Sequence, residues 1–524
     1  MTVALSPRAV TALASLLAPS LAGAASLKPV YQFAANAAGA YPSGAGPSAE
    51  VIEAPDGSYF TTTQYGGSTA CFSGYNGCGT VVHLVGNHAS VIFTFPYNSG
   101  SNPAAPDGAL PVAGLVQGPD GALYGATATG GSGEYGTLFK LIPGAGSSWT
   151  IQVLHAFTAG NECNAPIDGA DPEGRLAFGP DGMLYGTTAE GGCVIDGTGG
   201  DRGPYNNQGT LFRVATDGTG YANLYNFNGS WDYTQGITPD AANPAAGLTL
   251  APNGLFYGTS QYGGTADWGT VFQYDPVANV VTVLHSFSGA SPDGGFPFGS
   301  LTLDTLGNFW STTYAADNGD DPTAGGTVFR MAPSSPNTVT SYPFSSLASQ
   351  PYTLPKAGVI EAANGKFYGT AGSGSFYEIT KAGTFTELGI FPSTLTTTAP
   401  IASPLQSSNG SIYVTASDGG PVNAEDYTDR GGVFRYSVGH TGPKPLLTWF
   451  LPTNAAVGAS VVLGGANFVG ASRVVFHGTS ASSAFAVNAS GFITATVPAG
   501  ATTGPVAVTT PAGTVTSAVS FVVP

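Results

Sequence analysis

The stretch AGLVQGPDGALYGATATGG at 113–131, followed by GTLFKL at 136–141 and VLHAF at 153–157, decides the fold. It holds four short apolar runs bounded by glycine or turn residues. Asp120-Gly121 stands between the first two runs, and such a pair flanked by apolar residues is a hairpin signal, read here as a two-residue turn with positive φ. The phrase returns at 174–192 with GTLFRV and NLYNF, and at 246–264 with GTVFQY and VLHSF. Weaker copies begin at Ala49, Gly299, Ala357 and Ala402, which makes seven. The turn glycines lie 45 to 72 residues apart, from Gly182–Gly254 at the long end to Gly365–Gly410 at the short end. A four-stranded unit of that length, repeated, reads as a β-propeller blade. The seventh copy lacks a fourth strand, and an orphan run, Pro29–Phe33, stands near the N-terminus. The expected architecture is all-β: a seven-bladed β-propeller closed by that N-terminal strand.

Composition agrees. Gly makes up 77 of 524 residues and charged residues only 9 %, against about 25 % charged in an ordinary globular chain. That excludes helix bundles and coiled coils. Hydrophobic content of 42 % and aromatic content of 11 % exclude disorder. Lys and Arg number 14 against 31 Asp and Glu, a net charge of −17, so a nucleic-acid partner is not expected.

Residues 1–25 read as a secretory signal: Arg8, the apolar run Ala9–Leu21, and Ala22-Gly23-Ala24 at the cleavage positions. No later run is long enough to span a bilayer, so no membrane span is expected once the signal is removed. The expected location is secreted, periplasmic or cell-surface. In an oxidising compartment four cysteines suggest two disulfides. Cys71 and Cys78 close a short loop, while Cys163 and Cys193 map to loops of one propeller face. Three connectivities exist in principle, and the loop mapping favours Cys71–Cys78 with Cys163–Cys193.

The recurring L-Y-G-T-T…G-G…G-T-x-F…L-H-x-F phrase resembles the GloVer tandem repeat of exported bacterial proteins, over about residues 28–442. The resemblance implies no catalytic motif. From Pro443 onward Tyr and Trp thin out, and PLLTWFLPTNAAVGASVVLGGANF, VVFHGT and ITATVPAGATTGPVAVTTPAG resemble the IPT/TIG immunoglobulin-like domain. That implies a small immunoglobulin-like β-sandwich, a spacer or interaction module. The expected domains are therefore 1–25 signal, 26–442 propeller and 443–524 sandwich.

In such a ring the long second-to-third-strand loops and the inter-blade links share one face, where function usually sits. These loops are acidic and aromatic. Trp231, Asp232, Tyr233 and Tyr205 are candidate ligand-binding residues, since planar rings stack on sugars. Asp317, Asp320 and Asp321 in DNGDD are the candidate calcium ligands, although the sequence is not an EF-hand loop. Asp168 and Asp240 belong to the same acidic set. No G-x-S-x-G, H-E-x-x-H, C-x-x-C or Walker loop occurs. His155 and His285 recur at a position that holds Tyr31, Phe93, Tyr225 and Tyr342 in other copies, so they read as packing residues. The expectation is a monomeric, non-catalytic exported protein that binds an extracellular glycan or surface protein, with calcium the one cofactor considered. A secreted polysaccharide lyase or hydrolase and a structural cell-surface or matrix component are the alternatives.

Overall fold

The computed structural model describes residues 27–524 except 35, 37–39, 68–70, 72–76, 98–104, 159–167, 193–207, 230, 233–235, 238–239, 316–324, 334, 345–353, 373, 392–401, 418–428, 440–441 and 488–491; at 231–232, 236–237, 335–337 and 429–430 it describes the backbone alone. Among the described residues there is no α-helix. Between residues 28 and 437 lie seven four-stranded antiparallel sheets. In the first, Ile52–Glu53, Tyr59–Thr63, Thr80–Val85 and His88–Thr94 pair in sequence order. The next five follow the same order. The seventh is built from Leu405–Gln406, Ser411–Ala416 and Asp429–Ser437, and its fourth strand is Lys28–Ala34, antiparallel to Asp429–Ser437.

The turn between first and second strands differs from the two-residue expectation. Gly118 and Ala122 are hydrogen-bonded, as are Gly121 N–H and Gly118 C=O, so three residues, Pro119, Asp120 and Gly121, form the loop. Gly121 has φ 81° and Asp120 is not left-handed. This is a type I turn followed by a left-handed glycine, which leaves only one position that needs glycine. The Asp or Asn keeps a different task. Its side chain reaches the tip of the strand-two aromatic: Asp120 to Tyr124 at 2.8 Å, Asp181 to Tyr185 at 2.8 Å, Asn253 to Tyr257 at 2.8 Å and Asn364 to Tyr368 at 2.7 Å. The fifth sheet has Leu306 at the turn, and there the indole N–H of Trp310 donates to Asp304 at 2.9 Å.

Strands two and three are tied by a buried hydroxyl pair, Thr127 with Thr137 at 2.9 Å and Thr188 with Thr210 at 2.9 Å, repeated in the first, fourth and fifth sheets. Gly108 (φ 99°) packs directly on this pair; a Cβ there would stand 2.1 Å from Thr127 Oγ1. That contact explains the glycine three residues before the link proline at Gly44, Gly108, Gly169 and Gly294.

Consecutive sheets share apolar clusters. Tyr185, Leu211 and Phe227 of the third meet Leu248, Phe256 and Phe272 of the fourth. The seventh and first sheets share one as well: Phe33, Tyr413 and Val433 with Val51, Tyr59 and Val82. Burying each such Phe is worth about 2–3 kcal/mol.

The C-terminal residues form two further sheets, one of Leu446–Leu451, Ser460–Ala466, Ile493–Thr496 and Phe485–Val487, the other of Arg473–Phe476, Val506–Thr510 and Gly513–Thr516. One core, with Phe450, Leu463, Phe476, Val508 and Phe521, lies between them. This unit sits against the turn side of the third sheet: Trp449 and Phe492 join the cluster of Phe178 and Leu184. Cys71 and Cys78 form a disulfide. Cys163 and Cys193 lie outside the described residues.

Candidate functional site

The first strands of all seven sheets line two adjoining cavities, of about 830 and 570 Å³. A proline stands five residues before each of these strands: Pro47, Pro111, Pro172, Pro244, Pro297, Pro355 and Pro400. Several pack on the glycine that opens the third strand of the preceding sheet; a Cβ on Gly136 would lie 2.8 Å from Pro172 Cδ. The residue before the proline takes a left-handed backbone at Leu110, Asp171, Asn243 and Phe296, with φ of 51–57°. Such a φ is strained for bulky side chains. The residue after the proline varies: Ser48, Val112, Glu173, Ala245, Phe298, Lys356 and Ile401.

Glu173 and Phe298 stand two residues before Arg175 and Ser300, and Lys356 four before Ile360, and these three followers line the cavities. Glu173, Phe298 and Lys356 mark the end of the lumen away from the C-terminal sheets, which is the long-loop side. One layer further in, Glu50 and Arg175 form an ion pair at 2.8 Å. It passes over Gly114, where a Cβ would stand 3.1 Å from Glu50 Cγ.

Lys356 Nζ lies 5.8 Å from the Phe298 ring centre and 5.6 Å from that of Tyr314, and these two rings are 5.5 Å apart. Three carboxyls are nearby in charge. Burial, then Glu173 and Glu190, pushes Asp171 up to about 8. Burial and the Glu190 charge raise Glu173, and Lys356 opposes them. Burial also raises Glu190. Burial and mutual repulsion thus favour the protonated form across the group, most strongly at Asp171. Asp171 Oδ1 and Ser48 Oγ are buried without a hydrogen-bond partner among the described residues. An unpaired buried polar atom costs about 1–3 kcal/mol, so both fit a site that water or a ligand's hydroxyl completes.

The residues singled out from sequence are placed as follows. Backbone at Trp231–Asp232 pairs with Gly236–Ile237 in a small hairpin. Tyr233, Tyr205, Asp317, Asp320 and Asp321 lie outside the described residues. Among the described residues no three His, Cys, Asp or Glu side chains converge as metal ligands. Asp168 and Asp240 serve the link rather than a ligand. Asp168 bonds His155 Nε2 at 3.0 Å and accepts from Thr158 N–H, while Asp240 accepts from Tyr225 at 2.9 Å and from Asn228 N–H. His285 repeats the contact with Asp293 at 2.9 Å. The link aspartates thus clamp the ring at the fourth-strand position. The sequence reading missed Glu173, Phe298 and Lys356. Their signal was the repeated link proline, with chemistry that changes one residue after it.

A repeated four-stranded unit with all-β architecture defines the class. The chain belongs to the Gloeobacter/Verrucomicrobia repeat family, whose profile matches residues 21–200 and 197–424. No curated protein matches the sequence. Among solved structures, a fungal alcohol oxidase of the AA5 family in complex with copper is 13% identical, covering 96% of this chain and 100% of that one, with a TM-score of 0.46. An oxidoreductase of Thermus thermophilus, described as a glucose dehydrogenase, is 16% identical over 79% of this chain and 99% of its own, with a TM-score of 0.36. TolB from Acinetobacter baumannii is 13% identical over 56% and 54%, with a TM-score of 0.30. Likeness at this level carries no argument about activity. No helix among the described residues is long and apolar enough to cross a membrane.

Proposed function

We propose that the chain is an exported, non-catalytic, monomeric binding protein that takes a neutral carbohydrate at the long-loop mouth of a closed seven-bladed propeller. Closure is supported by the pairing of Lys28–Ala34 with Asp429–Ser437 and by the Tyr59–Tyr413 ring contact at 4.3 Å. Export rests on the signal-like residues 1–25, with the propeller at 26–442. The reading of 443–524 as an IPT/TIG-like sandwich rests on its sequence phrases and its shared two-sheet core.

The observation that carries the binding reading is the set of Phe298, Tyr314 and Lys356 beside Asp171, Glu173 and Glu190. A sugar's C–H face packs on a ring while its hydroxyls donate to carboxylates. Burial raises all three carboxyls, so the site resists further negative charge and suits a neutral ligand. Trp231, Asp232, Tyr233 and Tyr205 are proposed as outer contacts, and Asp317, Asp320 and Asp321 as a calcium loop. The test is thermal unfolding of residues 26–524 with a panel of neutral and acidic oligosaccharides, with and without calcium chloride. A rise with a neutral sugar that Phe298→Ala abolishes supports the reading. No rise, or a rise that survives Phe298→Ala, overturns it.

A further inference from the structure

At the opposite end of the lumen the C-terminal sandwich roofs the 830 Å³ cavity. The floor is the ring of first strands, with Val116, Leu250, Leu303, Ile360 and Leu405 half-buried at its surface, and Trp449 and Phe492 stand in the roof. A volume of several hundred Å³ suits a small molecule rather than a peptide or glycan chain. The charges that line the two cavities are almost all committed. Glu53 accepts from Ser408 N–H at 2.8 Å and from Ser407 Oγ at 2.8 Å. Asp304 is held by Asn308 and Trp310. Glu361 takes Thr305 N–H at 2.6 Å and Lys381 at 2.6 Å, and Glu50 takes Arg175. Lys444, an exposed residue at the cavity's edge, is also among its lining, and no ion pair to its ammonium occurs among the described residues.

We propose that this chamber binds a small amphipathic anion, its apolar body on the first-strand floor against Trp449 and its charged head on Lys444. The overall charge of −17 opposes an anion. The local ammonium therefore has to supply the preference, and an otherwise identical neutral molecule should bind less well. This site is separate from the carbohydrate mouth and does not depend on it.

Fluorescence titration of residues 26–524 with 1-anilinonaphthalene-8-sulfonate and with neutral N-phenyl-1-naphthylamine tests it, since the two dyes differ by the sulfonate alone. Saturable binding of one sulfonate dye per chain is expected, with the neutral dye weaker. Lys444→Glu should weaken the sulfonate dye about tenfold and leave the neutral dye unchanged. Ile360→Asp should weaken both, with an unchanged circular dichroism spectrum showing that the fold survives. Glu173→Gln, at the far mouth, should change neither. Absence of saturable binding, equal affinity for the two dyes, or indifference of the sulfonate dye to Lys444→Glu would each overturn the proposal.

Discussion

Tyr377 carries a fully buried hydroxyl with no hydrogen-bond partner among the described residues. It sits opposite Gly369, in the register that places Phe139 opposite Gly125 and Phe212 opposite Gly186. The repeat therefore supplies its own control for this position. Tyr377→Phe removes an unsatisfied polar atom without opening a cavity, and it should stabilise the chain by about 1 kcal/mol in urea unfolding. Asp171 makes a second residue-scale prediction. Its pKa is pushed up to about 8, mainly by burial, so the folded state holds a proton that the unfolded chain releases near pH 4. The stability tied to that proton is present below about pH 4 and is lost as pH rises toward 8. Asp171→Asn should flatten the pH dependence in that window and raise the unfolding midpoint at pH 8.

At the scale of elements, the link clamp gives the opposite sign. Burial would raise Asp293, but the hydrogen bond and charge of His285, with the N–H of Ser288, bring it below the usual carboxylate range. Its contribution is complete above about pH 4 and disappears as pH falls through the lowered value. Asp293→Asn should lower stability at pH 7 and leave a shallower acid limb when urea midpoints are read from pH 2 to 6. Strand-to-turn capping is a second such device. Glu361 holds Thr305 N–H of the preceding sheet's turn, and Gln406 holds Ala363 N–H of the next. Glu361→Ala should cost about 1–2 kcal/mol in the same assay. The sequence showed these strands through G-T-x-F and L-Y-G-T, because one phrase recurs with its spacing intact. It did not show the capping, since Glu53, Glu361 and Gln406 are three of seven residues at a position otherwise held by Gln117, Phe178, Leu250 and Leu303. Nor did it show the mouth. Glu173, Phe298 and Lys356 are separated by about a blade's length or more of chain, and their chemistry becomes a site only when the first strands meet around one lumen. The turn was misjudged for a local reason: Asp120 reads as half of a two-residue turn until Pro119 is counted with it.

For the whole molecule, the deciding contact lies between the two ends of the repeat array. Lys28–Ala34 supplies the fourth strand of a sheet whose other strands come from 405–437, and Phe33 is buried with Tyr59 of the first sheet and Tyr413 of the seventh. Glu53 adds a polar tie to Ser407 and Ser408. In the closed propeller proposed above no end is free for blades to fray, so removing the closing strand should act on every blade at once. It would also bare the edge of Asp429–Ser437, a template for pairing with another chain. A chain starting at residue 36 should therefore aggregate or unfold without a single cooperative transition, whereas one starting at residue 26 should melt once. Scanning calorimetry with size-exclusion chromatography distinguishes the two. If the shorter chain stayed monomeric with an unchanged midpoint, the seven sheets would be held by neighbour-to-neighbour packing alone, as in an open array of repeats.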